Sequence, residues 1–252
     1  MTFLAFGAIC FLIYRGRWIF PFAKKVWYFQ RVAAPGIHLL YDAELQDLNN
    51  QSSVLETCQM ELARLTEGFG FPLHGRLRVF VFSHWKEINE IFEKQTGALA
   101  LVNVNAILIG NDHPYITEVI RHELTHLFTG RWDWFAPPLL KEGLATWLQG
   151  SYWNQPIDLA ALPYLKDRKS GLGSLLSRKL FYSDPHRDSC YLLAASFTGF
   201  LISRYGWERY KKLYRRATVI DFKAQFKKCT GASFEIAESQ WRGEKLGEIQ
   251  GG

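Results

Sequence analysis

The stretch VIRHELTHLFTGRWDWFAPPLLKEGLATW, from Val119 to Trp147, decides both the expected fold and the expected chemistry of this chain. It carries two histidines, His122 and His126, with a glutamate directly after the first. The spacing predicts one helix for both histidines, and at about 100° per residue they lie about 40° apart on its surface. A second glutamate follows sixteen residues after His126, beyond a connection rich in proline and tryptophan.

The first helix is also amphipathic, and the two histidines and Glu123 lie at the border of its apolar arc. That arc is formed by Ile116, Val119, Ile120, Leu124 and Leu127. A carboxylate that is buried there without a partner would cost several kcal/mol unless a proton or a cation neutralised it. A metal ion resolves this conflict, because two imidazoles one turn apart can both reach a single Zn²⁺ at about 2.0–2.1 Å.

The third ligand has to come from elsewhere in the chain, since a catalytic zinc ion has three protein ligands and one position for water. Glu142 meets this need, because it lies on the next predicted helix beside Gly143 and Ala145, whose small size lets that helix approach the first. The two histidines and Glu142 are therefore the predicted ligands of one Zn²⁺ ion. Glu123 is the predicted general base, which activates the metal-bound water and passes its proton to the leaving amine.

An alternative interpretation of the same letters involves no metal. In it, the two histidines are ordinary helix residues, and Glu123 forms a salt bridge with Arg121 or Arg131.

Two segments, HELTH (122–126) and LLKEGLATW (139–147), resemble the gluzincin metallopeptidases and in particular the peptidase MA-like family. The strands and helices before HELTH are similar to that family's first lobe, and 191–214 is similar to its helical second lobe. The resemblance covers about residues 36–230. It implies an α+β, zincin-like fold with a mixed-sheet N-terminal lobe, an active-site helix, a helical C-terminal lobe and an active cleft between the lobes.

By this resemblance, His122, His126 and Glu142 are zinc ligands and Glu123 is the catalytic base. The metzincin pattern does not fit, because neither its glycine nor its third histidine follows HELTH at the required spacing. A variant in which Asp133 is the third ligand is a further alternative, although the EGLA context is absent around it.

One position departs from the resemblance. Thermolysin-like gluzincins have an aspartate four residues after the ligand glutamate, where it orients a histidine, and this chain has Thr146 there. Ligating imidazoles need such a hydrogen-bonding partner, so it has to come from another group. The departure keeps a second hypothesis open, that of a catalytically weak or inactive zincin-like binding or scaffold protein at the membrane.

The hydrophobic pattern divides the chain into a sheet-containing part, 32–132, and a helical part, 133–252. Strands are predicted at 36–42 and 76–83, with one or two more in 98–111, and helices at 43–70, 84–97, 116–130, 138–150, 188–205, 207–217, 218–231 and 234–245. The segment 98–111 fits an edge strand that could pair with an extended peptide, and it fits an internal strand equally well.

The N-terminal residues 1–31 are predicted to be a hydrophobic membrane anchor. Their apolar run, 2–14, would span only roughly 20 Å of a hydrocarbon core of about 30 Å, but Arg15 and Arg17 could extend it by snorkelling. A cleaved signal peptide and a buried N-terminal helix are the alternatives. Because the nearby basic residues all follow the run, the positive-inside rule places the main domain on the cytoplasmic side.

Composition narrows the classes of function. The net charge is only +6 and no basic run exceeds two residues, so nothing indicates a nucleic-acid partner. None of the four cysteines forms a CxxC pair, which excludes a zinc ribbon. The prediction is a membrane-tethered zinc metallopeptidase acting on a peptide or protein substrate, and a basic membrane-surface scaffold with incidental histidines is the third hypothesis.

Aromatic residues give two further alternatives. Tyr191 could donate a hydrogen bond to a developing oxyanion, or it could be an ordinary core tyrosine. The aromatic residues near the second predicted ligand fit either the wall of a substrate cleft or a plain core; they are Trp132, Trp134, Phe135, Trp147 and Trp153.

Overall fold

A computed structural model describes residues 19–45, 48–92, 96–132, 135–167 and 171–247. The chain is α+β, as the sequence predicts, with a mixed five-stranded sheet followed by helices. Its internal contacts define two compact units, Met1–Glu123 and Leu124–Gly252. The division between them falls inside one helix, whereas the predicted lobes meet near residue 132.

The first unit contains the sheet. Its elements are α1 (Ile19–Val26), β1 (Gln30–Ala34), β2 (Ile37–Tyr41), α2 (Leu48–Phe69), β3 (Leu77–Phe82), α3 (Trp85–Phe92), β4 (Ala98–Leu101) and β5 (Ala106–Gly110), and helix α4 (Ile116–Thr129) begins there. The strand order is β1-β2-β3-β5-β4, with parallel pairing at β2–β3 and β3–β5 and antiparallel pairing at both ends. Leu39, Val79 and Ile107 lie side by side across the parallel strands and are fully buried.

The segment 98–111 forms both an edge strand and an internal strand, the two alternatives that its sequence allows. Strand β4 lies at the edge of the sheet, and β5 lies inside it with every residue buried. A single turn of 3₁₀ helix, Val102–Val104, separates the two strands and ends at Asn105 in the left-handed conformation, with a φ of 47°. Asparagine tolerates this conformation better than most residues do, which suits it to the turn between β4 and β5.

Helix α1 and strand β1 were not predicted as regular elements, and both lie wholly or partly within the predicted anchor 1–31. The ring of Phe22 packs edge-on against Phe80 at a centroid distance of 5.1 Å. Lys25 forms salt bridges of 2.6 Å with Asp42 and with Glu87. Helix α1 is thus fixed to the sheet of the first unit by apolar and ionic contacts.

Residues 1–18, which hold the apolar run of the predicted anchor, lie outside the described residues. Among the helices that the structure does describe, none has both the length and the apolar character needed to cross a lipid bilayer.

The second unit consists mainly of helices. Its elements are α5 (Pro138–Gln149), β6 (Ser151–Tyr152), β7 (Gln155–Pro156), α6 (Ile157–Asp167), α7 (Arg178–Ser183), α8 (Arg187–Tyr205), α9 (Trp207–Tyr214), α10 (Phe222–Thr230) and α11 (Phe234–Gly247). The hairpin β6–β7 and the helices α6 and α7 were not predicted. Helix α6 contains Pro163, which normally interrupts a helical pattern, and α7 has only six residues.

Helix α8 is buried along most of its length and packs closely against α5. A Cβ atom placed on Gly143 would lie 2.7 Å from the carbonyl oxygen of Ala194, and one placed on Gly199 would lie 2.8 Å from Nε1 of Trp147. Small residues therefore let these two helices approach. The sequence had assigned the small size of Gly143 to an approach towards α4, and the structure shows instead that it serves the contact with α8.

Candidate metal centre

Helix α4 presents the histidines as the spacing predicts. It begins at Ile116, shortly after Pro114, and ends at Thr129. Three residues of its apolar arc, Ile120, Leu124 and Leu127, are fully or almost fully buried. His122 and His126 are partly buried, and the side chain of His126 is 16% exposed.

Helix α5 presents the carboxylate. Pro138 stands at its first turn, where the missing N–H costs nothing. Gly150 ends it with a φ of 89°, a conformation that favours glycine. Glu142 projects from the second turn and is only 7% exposed.

These side chains come together as a group that could hold a metal ion. His122, His126 and Glu142 each offer one ligand atom, and all three atoms lie within 4.8 Å of one another. Nε2 of His126 lies 3.3 Å from Oε2 of Glu142. Two imidazole nitrogens and one carboxylate oxygen form a donor set that suits Zn²⁺ and related divalent transition ions. The donor types and their convergence therefore fit the predicted cofactor.

A residue that the sequence did not reveal contacts the third member of this group. The hydroxyl of Tyr182, on α7, donates a hydrogen bond of 2.5 Å to Oε1 of Glu142. Burial, and next the negative charge of Glu142, raise the pKa of the Tyr182 hydroxyl far above its usual range, so it keeps its proton and acts as the donor. The contact joins residues forty positions apart, and no local pattern in the sequence indicates it.

Glu123, the predicted base, follows His122 directly on α4 and is 8% exposed. It belongs to the small set of buried carboxylates in the part of the chain that the structure describes. Its position on the helix, beside one member of the metal-binding group and within one turn of another, is the one that the sequence predicts.

Helix α4 is tethered beside the histidines by an ion pair inside the first unit. Arg121 contacts Oε1 of Glu61 at 2.6 Å, and Arg64 contacts its other oxygen at 2.7 Å. Burial alone would raise the pKa of Glu61, but the hydrogen bonds and charges of the two arginines outweigh it and lower that pKa below its ordinary value. The carboxylate of Glu61, which is fully buried, therefore stays ionised and fixes the residue next to His122.

Thr146 is the residue at which the sequence departs from the thermolysin-like gluzincins, which have an aspartate there. Its side chain is fully buried, and its hydroxyl oxygen has no hydrogen-bond partner among the described residues. Because this hydroxyl has no hydrogen-bond partner there, Thr146 does not take over the role of the orienting aspartate.

The aromatic residues divide between core and surface. Trp132 and Trp147 pack against the helical core, whereas Phe135 and Trp153 are 72% and 51% exposed. Tyr191 also packs on that core, with its ring 5.1 Å from the ring of Phe181. Both Trp134 and the alternative ligand Asp133 lie outside the described residues.

Comparison with known proteins does not assign this chain to a family. No protein-family model matches the chain, and no curated protein matches it at a significant level.

Proposed function

We propose that this protein is a zinc-dependent metallopeptidase of the gluzincin type, with a zincin-like fold, and that it hydrolyses peptide bonds in a peptide or protein substrate. The observation that carries the proposal is the convergence of His122, His126 and Glu142, whose ligand atoms lie within 4.8 Å of one another, on helices that also carry the buried Glu123. Two histidines four apart on one helix, with a glutamate directly after the first, match the zinc-binding pattern of metalloproteases.

The proposed roles follow from the donor set. His122, His126 and Glu142 would hold one zinc ion and leave one position for a water molecule or the substrate. When bound, zinc lowers the pKa of water and polarises the carbonyl of a peptide bond. The membrane anchor proposed for residues 1–31 would keep this centre at a membrane surface.

Glu123 performs the proton transfers. Its carboxylate accepts one proton from the water whose oxygen bonds to the carbonyl carbon, and it delivers that proton to the amide nitrogen as the carbon–nitrogen bond breaks. The products are one carboxylic acid and one amine.

A second candidate is a zincin-like binding or scaffold protein that holds zinc but turns over slowly or not at all. The buried hydroxyl of Thr146, which has no partner among the residues that the structure describes, favours it. Without a carboxylate at that position, a ligating histidine loses one orienting hydrogen bond, and such losses typically cost about 10–100-fold in metal affinity or activity.

Replacing Glu123 by glutamine separates the two candidates. The test measures cleavage of a fluorogenic peptide library by the zinc-loaded full chain, together with its zinc content. Glu56→Gln is the matched control, because it makes the same substitution at an exposed position on α2. A peptidase loses cleavage in Glu123→Gln, keeps its zinc and is unaffected by Glu56→Gln.

Two results would count against the peptidase. If the wild type binds zinc but cleaves no member of the library, the binding or scaffold candidate takes its place. If Glu123→Gln cleaves as fast as the wild type, Glu123 is not the base.

A further inference from the structure

The two oxygens of Glu142 have different partners. Oε1 accepts the hydrogen bond of Tyr182 at 2.5 Å, and Oε2 lies 3.3 Å from Nε2 of His126. One oxygen is thus engaged by a neutral donor, and the other is directed towards the group of atoms that could hold a metal ion. The hydrogen bond to Oε1 competes with metal binding through that oxygen, because both use its lone pairs.

Tyr182 is 38% exposed and lies on the short helix α7. The N-cap of α7 is Ser177, whose hydroxyl accepts a hydrogen bond from the backbone N–H of Leu180. Phe181, next to Tyr182, is fully buried and contacts the rings of Tyr182 and Tyr191 at centroid distances of 5.2 and 5.1 Å. Removing the hydroxyl alone would leave these ring contacts in place.

We propose that Tyr182 is a positioning residue of the metal centre, which holds Oε1 of Glu142 so that only Oε2 serves as a metal ligand. The inference rests on the proposed function, because it requires Glu142 to be a metal ligand. Its consequence is chemical: a carboxylate that binds through one oxygen keeps a coordination position open for water or substrate, whereas one that binds through both oxygens fills it. The hydrogen bond also orients the ligand before the metal arrives.

The test is zinc affinity, measured on the full chain by competition with a chromophoric chelator. Tyr182→Phe is expected to bind zinc about 10–100-fold more weakly than the wild type, the usual effect of losing a hydrogen bond to a metal ligand. The matched control is Tyr152→Phe, which also removes a tyrosine–carboxylate hydrogen bond, here of 2.8 Å to Asp188. This control is expected to keep the wild-type affinity.

Two further measurements separate positioning from a general loss of structure. With Co²⁺ in place of zinc, the visible absorption spectrum of Tyr182→Phe is expected to differ from that of the wild type, because the number of coordinating oxygens changes. In a Glu142→Ala background, Tyr182→Phe is expected to have no further effect on affinity, since a residue that acts through Glu142 has nothing left to position.

Each outcome decides a different claim. If the wild type and Tyr182→Phe bind zinc equally and give the same Co²⁺ spectrum, Tyr182 does not position the ligand, although the proposed function stands. If the wild type binds no zinc, the proposed function fails, and the role of Tyr182 fails with it. An equal loss in Tyr152→Phe would also overturn the proposal, because the effect would then reflect stability alone.

Discussion

Replacing Gly143 by alanine is expected to destabilise the protein, although the same change stabilises most helices. Gly143 lies in the middle of α5, where α5 packs against α8. A Cβ atom there would lie 2.6 Å from the hydroxyl oxygen of Thr198 and 2.7 Å from the carbonyl oxygen of Ala194. The hydroxyl can rotate away, but the carbonyl belongs to the backbone of α8 and cannot.

The expected size of the effect follows from these distances. A separation of 2.7 Å is about 0.7 Å shorter than an ordinary van der Waals contact, so α5 and α8 have to move apart. Such overpacking costs about 1–3 kcal/mol. Exchanging glycine for alanine in a helix contributes about 1 kcal/mol in the opposite direction. The net loss in free energy of unfolding is therefore expected to be up to about 2 kcal/mol.

A matched glycine in the same unit gives the control. Gly243 lies in α11, and a Cβ atom there would meet no other atom within 4 Å. Gly243→Ala is expected to stabilise by about 0.5–1 kcal/mol. Urea unfolding followed by circular dichroism measures both changes. A Gly143→Ala variant as stable as Gly243→Ala would refute the close packing of α5 on α8.

Three further predictions concern the buried ion pair. Arg121→Met leaves the buried charge of Glu61 with one partner and is expected to lower the free energy of unfolding by about 3 kcal/mol. Arg64→Met is expected to lower the free energy of unfolding less, because the Arg64 side chain is 42% exposed and that of Arg121 only 22%. Urea unfolding of both variants tests this ranking. A larger loss of stability in Arg64→Met than in Arg121→Met would contradict it. The lowered pKa of Glu61 stabilises the folded state fully above the ordinary value of 4.5, and this stabilisation disappears as the pH falls through the lower folded pKa. Unfolding measured over this acidic range should therefore show a steeper loss for the wild type than for Glu61→Gln, and equal slopes would mean that the arginines do not lower this pKa.

The elements that the sequence predicted well carry strong local signals. Strand β3 has five apolar residues in six positions, and helices α4 and α5 have a proline before or at their first turn and a glycine after their last. Local signals of this kind do not depend on the rest of the fold. They also placed His122, His126 and Glu142, since each lies on one of these helices at a spacing that helix geometry fixes.

The elements that the sequence missed depend on distant contacts. Helices α1 and α7 have eight and six residues, too few for a stable helix without tertiary packing. Helix α1 depends on Phe22 and Lys25, whose partners lie elsewhere in the first unit. The hydrogen bond from Tyr182 to Glu142 was not predicted from the sequence either, because only the packing of α7 brings these two residues together.

The most direct test of the account is the zinc content of the purified full chain and of its His122→Ala and Glu142→Ala variants, measured by mass spectrometry. About one zinc ion per wild-type chain is expected, with substantial loss in both variants, because each removes one of three ligands. A wild type without zinc, or a Glu142→Ala variant that retains zinc as the wild type does, would contradict the assignment of these three residues as one metal centre.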